Sequence, residues 1–429
     1  MNFPEESEFI CVYGWDEALY REALSWVEGD RRVVFVSEEE KKSDDLRVKI
    51  YPLESELQIE PLAKKIAWSA VLRKMTVVMA KEGARFREEL EKCHLAAGLI
   101  LSEAADWGVA VLKNGRANAS PSRRGMALKG AFAGVPAIVV GAGPSLAKNG
   151  HLLRAFEDRA LILAGGSALN AIDVEPHFAA AVDPAAPYRQ FKMQPFSETP
   201  FCYQSRMSAE NFSLVHGPKI LFPDSSSAAL NWIYGEEAFE SGWTVGNFLT
   251  KVALHMGCDP VVLVGMDFCY TDDRKYAEVE TAHAEGLVRW GDVWTQRDWL
   301  MAARWTEAQK GPLINATEGG ILSLPKSRLE TVLEQCVKKW DLRQKVHETI
   351  QKLPLVSSGR WAEWDASLHR CKKKIYQVEE EVVYQMLLDP LWQVWRPIFE
   401  REAEVDPQQD MEMHKISFYS QVLEEHMHG

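Results

Sequence analysis

"VPAIVVGAGPSL" spans residues 135–146 and decides how the rest of the chain is read. Its "AIVV" core is apolar with no polar alternation, which fits a strand buried on both faces. Two glycines, a proline and a serine then follow at the strand's end. Glycine permits a tight turn and close approach of the main chain to a ligand. Pro144 lacks an N–H and suits the first turn of a helix over "SLAKNGHLLRAF". The free N–H groups at such a helix start attract phosphate or carboxylate. A sharp strand-to-helix turn with no ligand would use the same residues. The hexapeptide "GAGPSL" is neither the GxGxxG dinucleotide pattern nor a Walker loop, whose Lys-Ser/Thr ending is missing.

Working outward, "ALILAG", "FAAAVD", "FCYQ", "KILFP" and "PVVLVG" repeat the texture of "PAIVVG" between about 130 and 328. Helical segments separate several of them. This alternation predicts an α/β fold, with a Rossmann-like central domain built on a mainly parallel sheet. From about 8 to 118, "FICVYG", "RVVFVS", "VKIYPL" and "TVVMAK" predict a smaller N-terminal α/β domain. "NASPSRRG" (118–125) reads as a linker. Beyond 328 the period changes. Trp361, Trp364, Leu368, Cys371, Ile375, Val378 and Val382 step by three and four, predicting a helical seam that ends at Pro390. Leu329, Val332, Leu333, Cys336, Val337 and Trp340 fit one face of another helix. The expected division is therefore 1–120, 121–328 and a helical 329–429. Such apolar stripes suit packing within the chain, with a homo-oligomer contact as the alternative.

The formal charge of −13 disfavours nucleic acid and anionic lipid as general partners, though a local pocket can still hold a small anion. No apolar stretch approaches the roughly 20 residues of a membrane helix, so no membrane insertion is expected. "MNFPEESEFI" lacks the basic and apolar blocks of a secretory signal. Seven cysteines without a CxxC pair fit reduced thiols in a cytoplasmic protein. The 15 tryptophans suit core, interface and stacking roles equally.

In an open parallel sheet, ligands sit beyond the carboxyl ends of the strands. Gly141, Gly143, Pro144 and Ser145 follow "AIVV". Gly165, Gly166 and Ser167 follow "LILA", Asp183 follows "AAAV", and Gly265, Met266 and Asp267 follow "VVLV". Four strand ends thus supply small or acidic groups to one cleft. In "ESGWTVGNFLTKVALHMGCDPVVLVGMDFCY" (240–270), Ser241 and Gly242 precede a helix and bring further N–H donors. Asp267 and Asp183 suit a hydroxyl, a metal or a local cap equally. His283, in "ETAHAEG", is expected near the cleft mouth, where an imidazole can take a proton from an acceptor hydroxyl. "NATEGG" (315–320) has loop chemistry that can close the pocket.

"GAGPSL", "AVDP", "SGWTVGNFLTKVALHMGCDPVVLVGMDF", "HAEG" and "NATEGG" together resemble the central domain of the motility accessory factor (Maf) proteins. The same domain is named for MptE-like 6-hydroxymethyl-dihydropterin pyrophosphokinases. The resemblance covers roughly 130–325. It implies a glycosyltransferase that moves a nonulosonic, sialic-acid-like sugar from a CMP-activated donor to a hydroxyl of a protein or small molecule. Similarity extends to bacterial sialyltransferases that carry "GNGPSL", a Thr-Ser-Gly turn and "GIDFY". It implies that Gly141, Gly143, Pro144 and Ser145 form the nucleotide loop, and that Gly166 and Ser167 touch the ribose or base. Ser241 and Gly242 would meet the phosphate or donor carboxylate, Tyr270 would steady the leaving phosphate, and His283 would be the general base. The chain departs from the sialyltransferase pattern at Ala142, Glu240 and the extra Cys269, which makes Tyr276 an alternative to Tyr270.

The glycosyltransferase reading requires no cofactor. Pyrophosphoryl transfer from ATP to a pterin alcohol is the alternative; it needs Mg²⁺, for which Asp183 and Asp267, with Asp272 or Asp273, are the available carboxylates. A nucleotide-binding scaffold without catalysis is a third.

Overall fold

In the computed structural model, which describes residues 3–119, 121–185, 199–270, 287–357, 359–405 and 410–427, each short apolar run read from the sequence contains a strand. At the N-terminus, β1 (Phe9–Tyr13), β2 (Arg32–Ser37), β3 (Val48–Pro52) and β4 (Met75–Met79) form a parallel sheet in the order β3-β2-β1-β4. Its strands are apolar on both faces for a physical reason. Cys11, Val34 and Val36 face one core with Phe86, while Ile10, Val12, Val33 and Phe35 face another with Ala23. Three helices accompany it: α1 (Glu17–Trp26), α2 (Ile59–Ser69) and the 34-residue α3 (Ala84–Ala117). Asp16 starts α1 by accepting the Leu19 N–H at 2.9 Å.

The central sheet begins with β5 (Arg123–Arg124), β6 (Ala137–Val140), α4 (Leu146–Asn149), β7 (Leu161–Gly165), α5 (Ala168–Ala171), β8 (Phe178–Ala181) and β9 (Phe201–Gln204). It continues with α6 (Ala209–Phe212), β10 (Lys219–Phe222), α7 (Ala228–Tyr234), α8 (Val245–His255) and β11 (Val261–Val264). A hairpin of β12 (Val288–Trp290) and β13 (Val293–Thr295), then α9 (Arg297–Glu307) and β14 (Leu313–Asn315), complete it. The eight strands run β14-β11-β6-β7-β8-β9-β10-β5, all parallel. The fold is thus the α/β, Rossmann-like arrangement expected from "AIVV" and its repeats. Phe248, Leu249, Val252 and Ala253 of α8 pack into one core with Val139, Leu163, Ala180 and Leu263 of the sheet.

The helices that follow are α10 (Leu329–Gln335), α11 (Leu342–Lys352), α12 (Trp361–Lys373), α13 (Asp389–Val405) and α14 (Met411–Met427). By contact, Met1–Asp106 and Leu388–Gln421 form one unit, and Trp107–Leu387 with Val422–Gly429 forms the other. The C-terminal helices are therefore shared between two units, where the sequence suggested a third. No single helix among the described residues is long and apolar enough to cross a membrane.

Four local expectations change. "NASPSRRG" is structural: Arg123 and Arg124 pair with Ile220 and Leu221 at the sheet edge, and the Ser122 hydroxyl meets that of Tyr203 at 2.9 Å. The helix expected after "GAGPSL" is the single turn α4 followed by 3₁₀ turns over Gly150–Phe156. The 329–340 helix stops at Gln335, leaving Val337 exposed, because Asp341 caps a new helix by accepting the Gln344 N–H. The seam expected from Trp361 to Val382 breaks after Lys373, where α12 ends, and Pro390 lies within a helical run that passes from the π-helix Tyr384–Leu388 directly into α13, so it does not end the seam.

Candidate functional site

β6 and β11 are neighbours, yet the chain leaves β6 towards β7 and leaves β11 towards β14, on the opposite side. Loops diverge at such a reversal and leave a crevice beyond the strand tips. Here the first task of the glycines is to let two main chains touch. Gly141 donates to the Val264 carbonyl and Gly143 to the Gly265 carbonyl, both at 2.8 Å. A Cβ on Gly141 would lie 2.4 Å from the Gly265 oxygen. Gly265 itself has φ 64°, a conformation that favours glycine.

A cleft of about 260 Å³ opens at this point. Gly141–Gly143, Gly165–Ser167 and Gly265–Cys269 line it from three strand ends. Asp183 adds a fourth strand, Trp243–Gly246 enter from the start of α8, and Asp298 and Trp299 enter from α9. Of the residues singled out at the strand ends, Gly141, Gly143, Gly165, Gly166, Ser167, Asp183, Gly265, Met266 and Asp267 line this one cleft.

Asp267 is 2% exposed. Its Oδ2 accepts the Ser145 hydroxyl at 2.7 Å and the Ser145 N–H at 3.4 Å. Its Oδ1 has no hydrogen-bond partner among the described residues. Burial raises its pKa to about 6, against the lowering effect of the Ser145 hydrogen bonds and the Lys148 charge. Glycines enclose it closely: a Cβ on Gly143 would lie 1.9 Å from Oδ2, and one on Gly319 would lie 3.1 Å from Oδ1. Asp267 thus ties the loop after β6 to the end of β11 and presents a carboxylate to the cleft that titrates close to neutrality.

The other candidates fall differently. Ser145 adjoins the cleft, but its N–H and hydroxyl are both directed to Asp267. Pro144 precedes it and is not part of the cleft wall. Ser241 is buried and its hydroxyl accepts from Gln204 Nε2 at 2.9 Å, while Gly242 packs under Trp305. Tyr270 is buried; its hydroxyl accepts from Gln296 Nε2 at 3.1 Å and its ring lies 5.4 Å from that of Trp299. Neither the Ser-Gly pair nor Tyr270 lines the cleft. His283, Tyr276, Asp272 and Asp273 lie outside the described residues.

The helix start that does meet the cleft is three residues beyond Ser241. Thr244 Oγ1 accepts the Asn247 N–H, and Asn247 Oδ1 accepts the Thr244 N–H, both at 3.2 Å. This reciprocal cap fixes the first turn of α8. Val245 and Gly246, which line the cleft, are the first two residues of α8, where main-chain N–H groups have no acceptor within the helix and can serve as anion donors. Asn247 also donates to Thr306 Oγ1 at 2.7 Å, anchoring α8 to α9. Thr244→Ala is expected to cost about 1 kcal/mol. Urea unfolding with an unchanged m value checks it, and an unaltered midpoint would remove the cap from this account. Trp243, Thr244, Val245, Gly246, Asp298 and Trp299 are the wall residues that sequence reasoning missed. The spacing Thr-x-x-Asn was a legible signal for Thr244. Asp298 and Trp299 carried none.

Asp183, Asp267 and Asp298 line the cleft, and no Lys, Arg or His side chain among the described residues does. No group of three His, Cys, Asp or Glu side chains suited to a metal ion occurs among the described residues. Phosphate oxygens would thus be met here by main-chain N–H groups, with Asp183 and Asp267 as the carboxylates available to a Mg²⁺ carried by the phosphates.

A doubly wound sheet with its crevice at the switch point places the chain in the open α/β class. More particularly, residues 111–273 match the family model described as 6-hydroxymethylpterin diphosphokinase MptE-like. No curated protein matches the chain in sequence. Among solved structures, it is similar to a MAf glycosyltransferase from Magnetospirillum magneticum AMB-1, with a TM-score of 0.57 at 15% identity over 98% of this chain and 77% of that one. The Maf/MptE-like resemblance read from "GAGPSL" to "GMDF" therefore holds, and the fold is of the kind found in that glycosyltransferase.

Proposed function

We propose that the chain is a glycosyltransferase that binds a nucleotide-activated sugar in the cleft between the ends of β6 and β11. The donor is read as a CMP-linked nonulosonic acid and the acceptor as a hydroxyl, of a protein Ser/Thr or a small molecule. The observation that carries this is the meeting of four glycine- or acid-bearing strand ends with the start of α8 in one cleft. In this reading the N–H groups of Val245 and Gly246 stabilise the leaving phosphate. Trp243 and Trp299 supply flat apolar walls for a base or sugar ring. Gly166 and Ser167 approach the nucleoside. Asp267 orients a substrate hydroxyl, and His283 is the proposed general base, taking the acceptor proton as the anomeric carbon is attacked.

A second reading, pyrophosphoryl transfer from ATP to a pterin alcohol, is favoured by one specific feature: an acid-lined cleft suits a nucleotide that arrives with Mg²⁺. Thermal shifts with CMP, CDP, UDP, ATP and AMP, each with and without Mg²⁺, separate the two. A shift confined to cytidine nucleotides and indifferent to Mg²⁺ is expected. A shift seen only with ATP and Mg²⁺ would overturn the glycosyltransferase reading in favour of the second. No shift with any nucleotide would count against all three readings, since each requires a bound nucleotide.

A further inference from the structure

The turn Glu318–Gly319–Gly320 lies between Asp267 and a second pocket. On one side the α-carbon of Gly319 faces Asp267, within 3.1 Å of Oδ1 for a notional Cβ. On the other, Gly319 and Gly320 line an open pocket of about 480 Å³ together with Asn315, Glu318, Lys326, Ser327 and Arg328. This pocket differs in character from the carboxylate-lined cleft. Glu318 and Gly320 have φ of 58° and 74°, and Gly319 between them does not have a positive φ. A change of hand between successive residues is the backbone pattern of the main-chain nests that bind anions. The N–H groups of Gly319 and Gly320 donate to no acceptor among the described residues.

Two cations line the same space, Lys326 and Arg328, the second in an exposed ion pair with Glu330 at 3.7 Å. The one acid in the wall is held elsewhere: Glu318 Oε1 accepts from Asn149 Nδ2 at 3.1 Å and from the Leu329 N–H at 3.5 Å. Lys148 adds a third positive charge against the turn, donating to the Glu318 carbonyl at 2.9 Å. Both walls are fixed in advance by Asn315. Its Oδ1 accepts the Thr317 N–H at 3.0 Å, its Nδ2 donates to the Leu322 carbonyl at 3.2 Å, and its carbonyl accepts the Ser327 N–H at 3.0 Å. Donors held in place lose little freedom when an anion arrives.

We propose that this pocket is an anion subsite, distinct from the cleft, that takes a phosphate or carboxylate group of the second substrate. The assignment to a second substrate rests on the transferase reading above; the anion site does not. Inorganic phosphate titrated into the full chain at low chloride, followed by ³¹P line width, is the test, with succinate as the carboxylate arm. Tighter binding of phosphate points to a phosphorylated substrate and tighter binding of succinate to a carboxylated one. Lys326→Ala/Arg328→Ala is expected to weaken the preferred anion at least tenfold, while Lys372→Ala/Lys373→Ala, which removes the same charge from an exposed stretch of α12, leaves it within twofold. Near-UV circular dichroism and nucleotide shifts in the cleft should match those of the parent chain. Should the double variant misfold, Lys326→Gln alone is expected to show a threefold loss. Anion binding that survives either substitution, or that falls equally in the control pair, overturns the subsite whatever nucleotide the cleft prefers.

Discussion

Asp267→Asn is expected to make the protein more stable at pH 7.5 and much less active. The carboxylate is 2% exposed, and burial raises its pKa from 3.8 to about 6. An acid with a raised folded pKa binds its proton more tightly in the native state than in the unfolded one. Its contribution to stability is therefore present at low pH and lost as pH rises from about 4 through about 6. Above pH 6 the folded chain carries a buried charge that costs about 3 kcal/mol relative to the unfolded chain. Asparagine keeps an acceptor for the Ser145 hydroxyl and N–H and removes the charge. Thermal unfolding at pH 7.5 should move up by several degrees, and the gain should vanish at pH 4.5, where the parent is protonated. Turnover should fall at least tenfold, because the variant retains no anionic oxygen for a substrate hydroxyl. A stabilised variant with unimpaired activity would make Asp267 a structural acid only. A melting point that drops at pH 7.5 would show that the carboxylate is not held at a cost.

How much of this was legible in the sequence follows the range of the forces involved. "AIVV", "LILA", "FAAA" and "VVLV" declare themselves because a strand buried on both faces has no polar partner in its alternation. What they pair with is a non-local matter. The β6–β11 adjacency that creates the cleft is written in no local pattern. "NASPSRRG" has the composition of a linker, yet Asn118 Nδ2 donates to the Ser205 and Met207 carbonyls across 87 and 89 residues. The short α4 has a similar cause. Asn149 directs its amide to the Ala316 carbonyl at 3.0 Å and to Glu318, so tertiary bonds and the following Gly150 override a helical period. Ser241 was read as a helix start because it precedes the amphipathic run; the cap pair Thr244 and Asn247 was equally visible and names the true one. Asp298 and Trp299 reach the cleft only because the β12–β13 hairpin sets where α9 begins, with the Trp294 carbonyl accepting from the Tyr270 N–H at 2.8 Å. Nothing in "TQRDWL" encodes that.

Gly141→Ala is expected to be among the most damaging single methyl groups that can be added to the central unit. The ordinary expectation for a glycine in "GAGPSL" is that it makes room for a ligand. Here the space is already taken by protein: the new Cβ would lie 2.4 Å from the Gly265 oxygen and 2.9 Å from its carbonyl carbon. Both are main-chain atoms of the neighbouring strand end, so no side-chain rotation relieves the overlap. The same strand tip carries the Gly141–Val264 and Gly143–Gly265 hydrogen bonds, which would have to lengthen together. Core overpacking of this kind costs about 1–3 kcal/mol, and the unyielding main chain puts this case at or above the upper end. Gly166→Ala is the informative comparison. Gly166 lines the same cleft at φ 53°, but its notional Cβ meets only Val245 Cγ1, at 3.4 Å. Its cost should be that of left-handed backbone strain, about 1–2 kcal/mol. Its effect on ligand affinity should be the larger of the two relative to its effect on stability. Urea midpoints and nucleotide shifts measured on both variants test this ordering. If Gly141→Ala unfolds no more readily than Gly166→Ala and loses only ligand binding, then the glycine serves the ligand and not the crossing of the two strand ends.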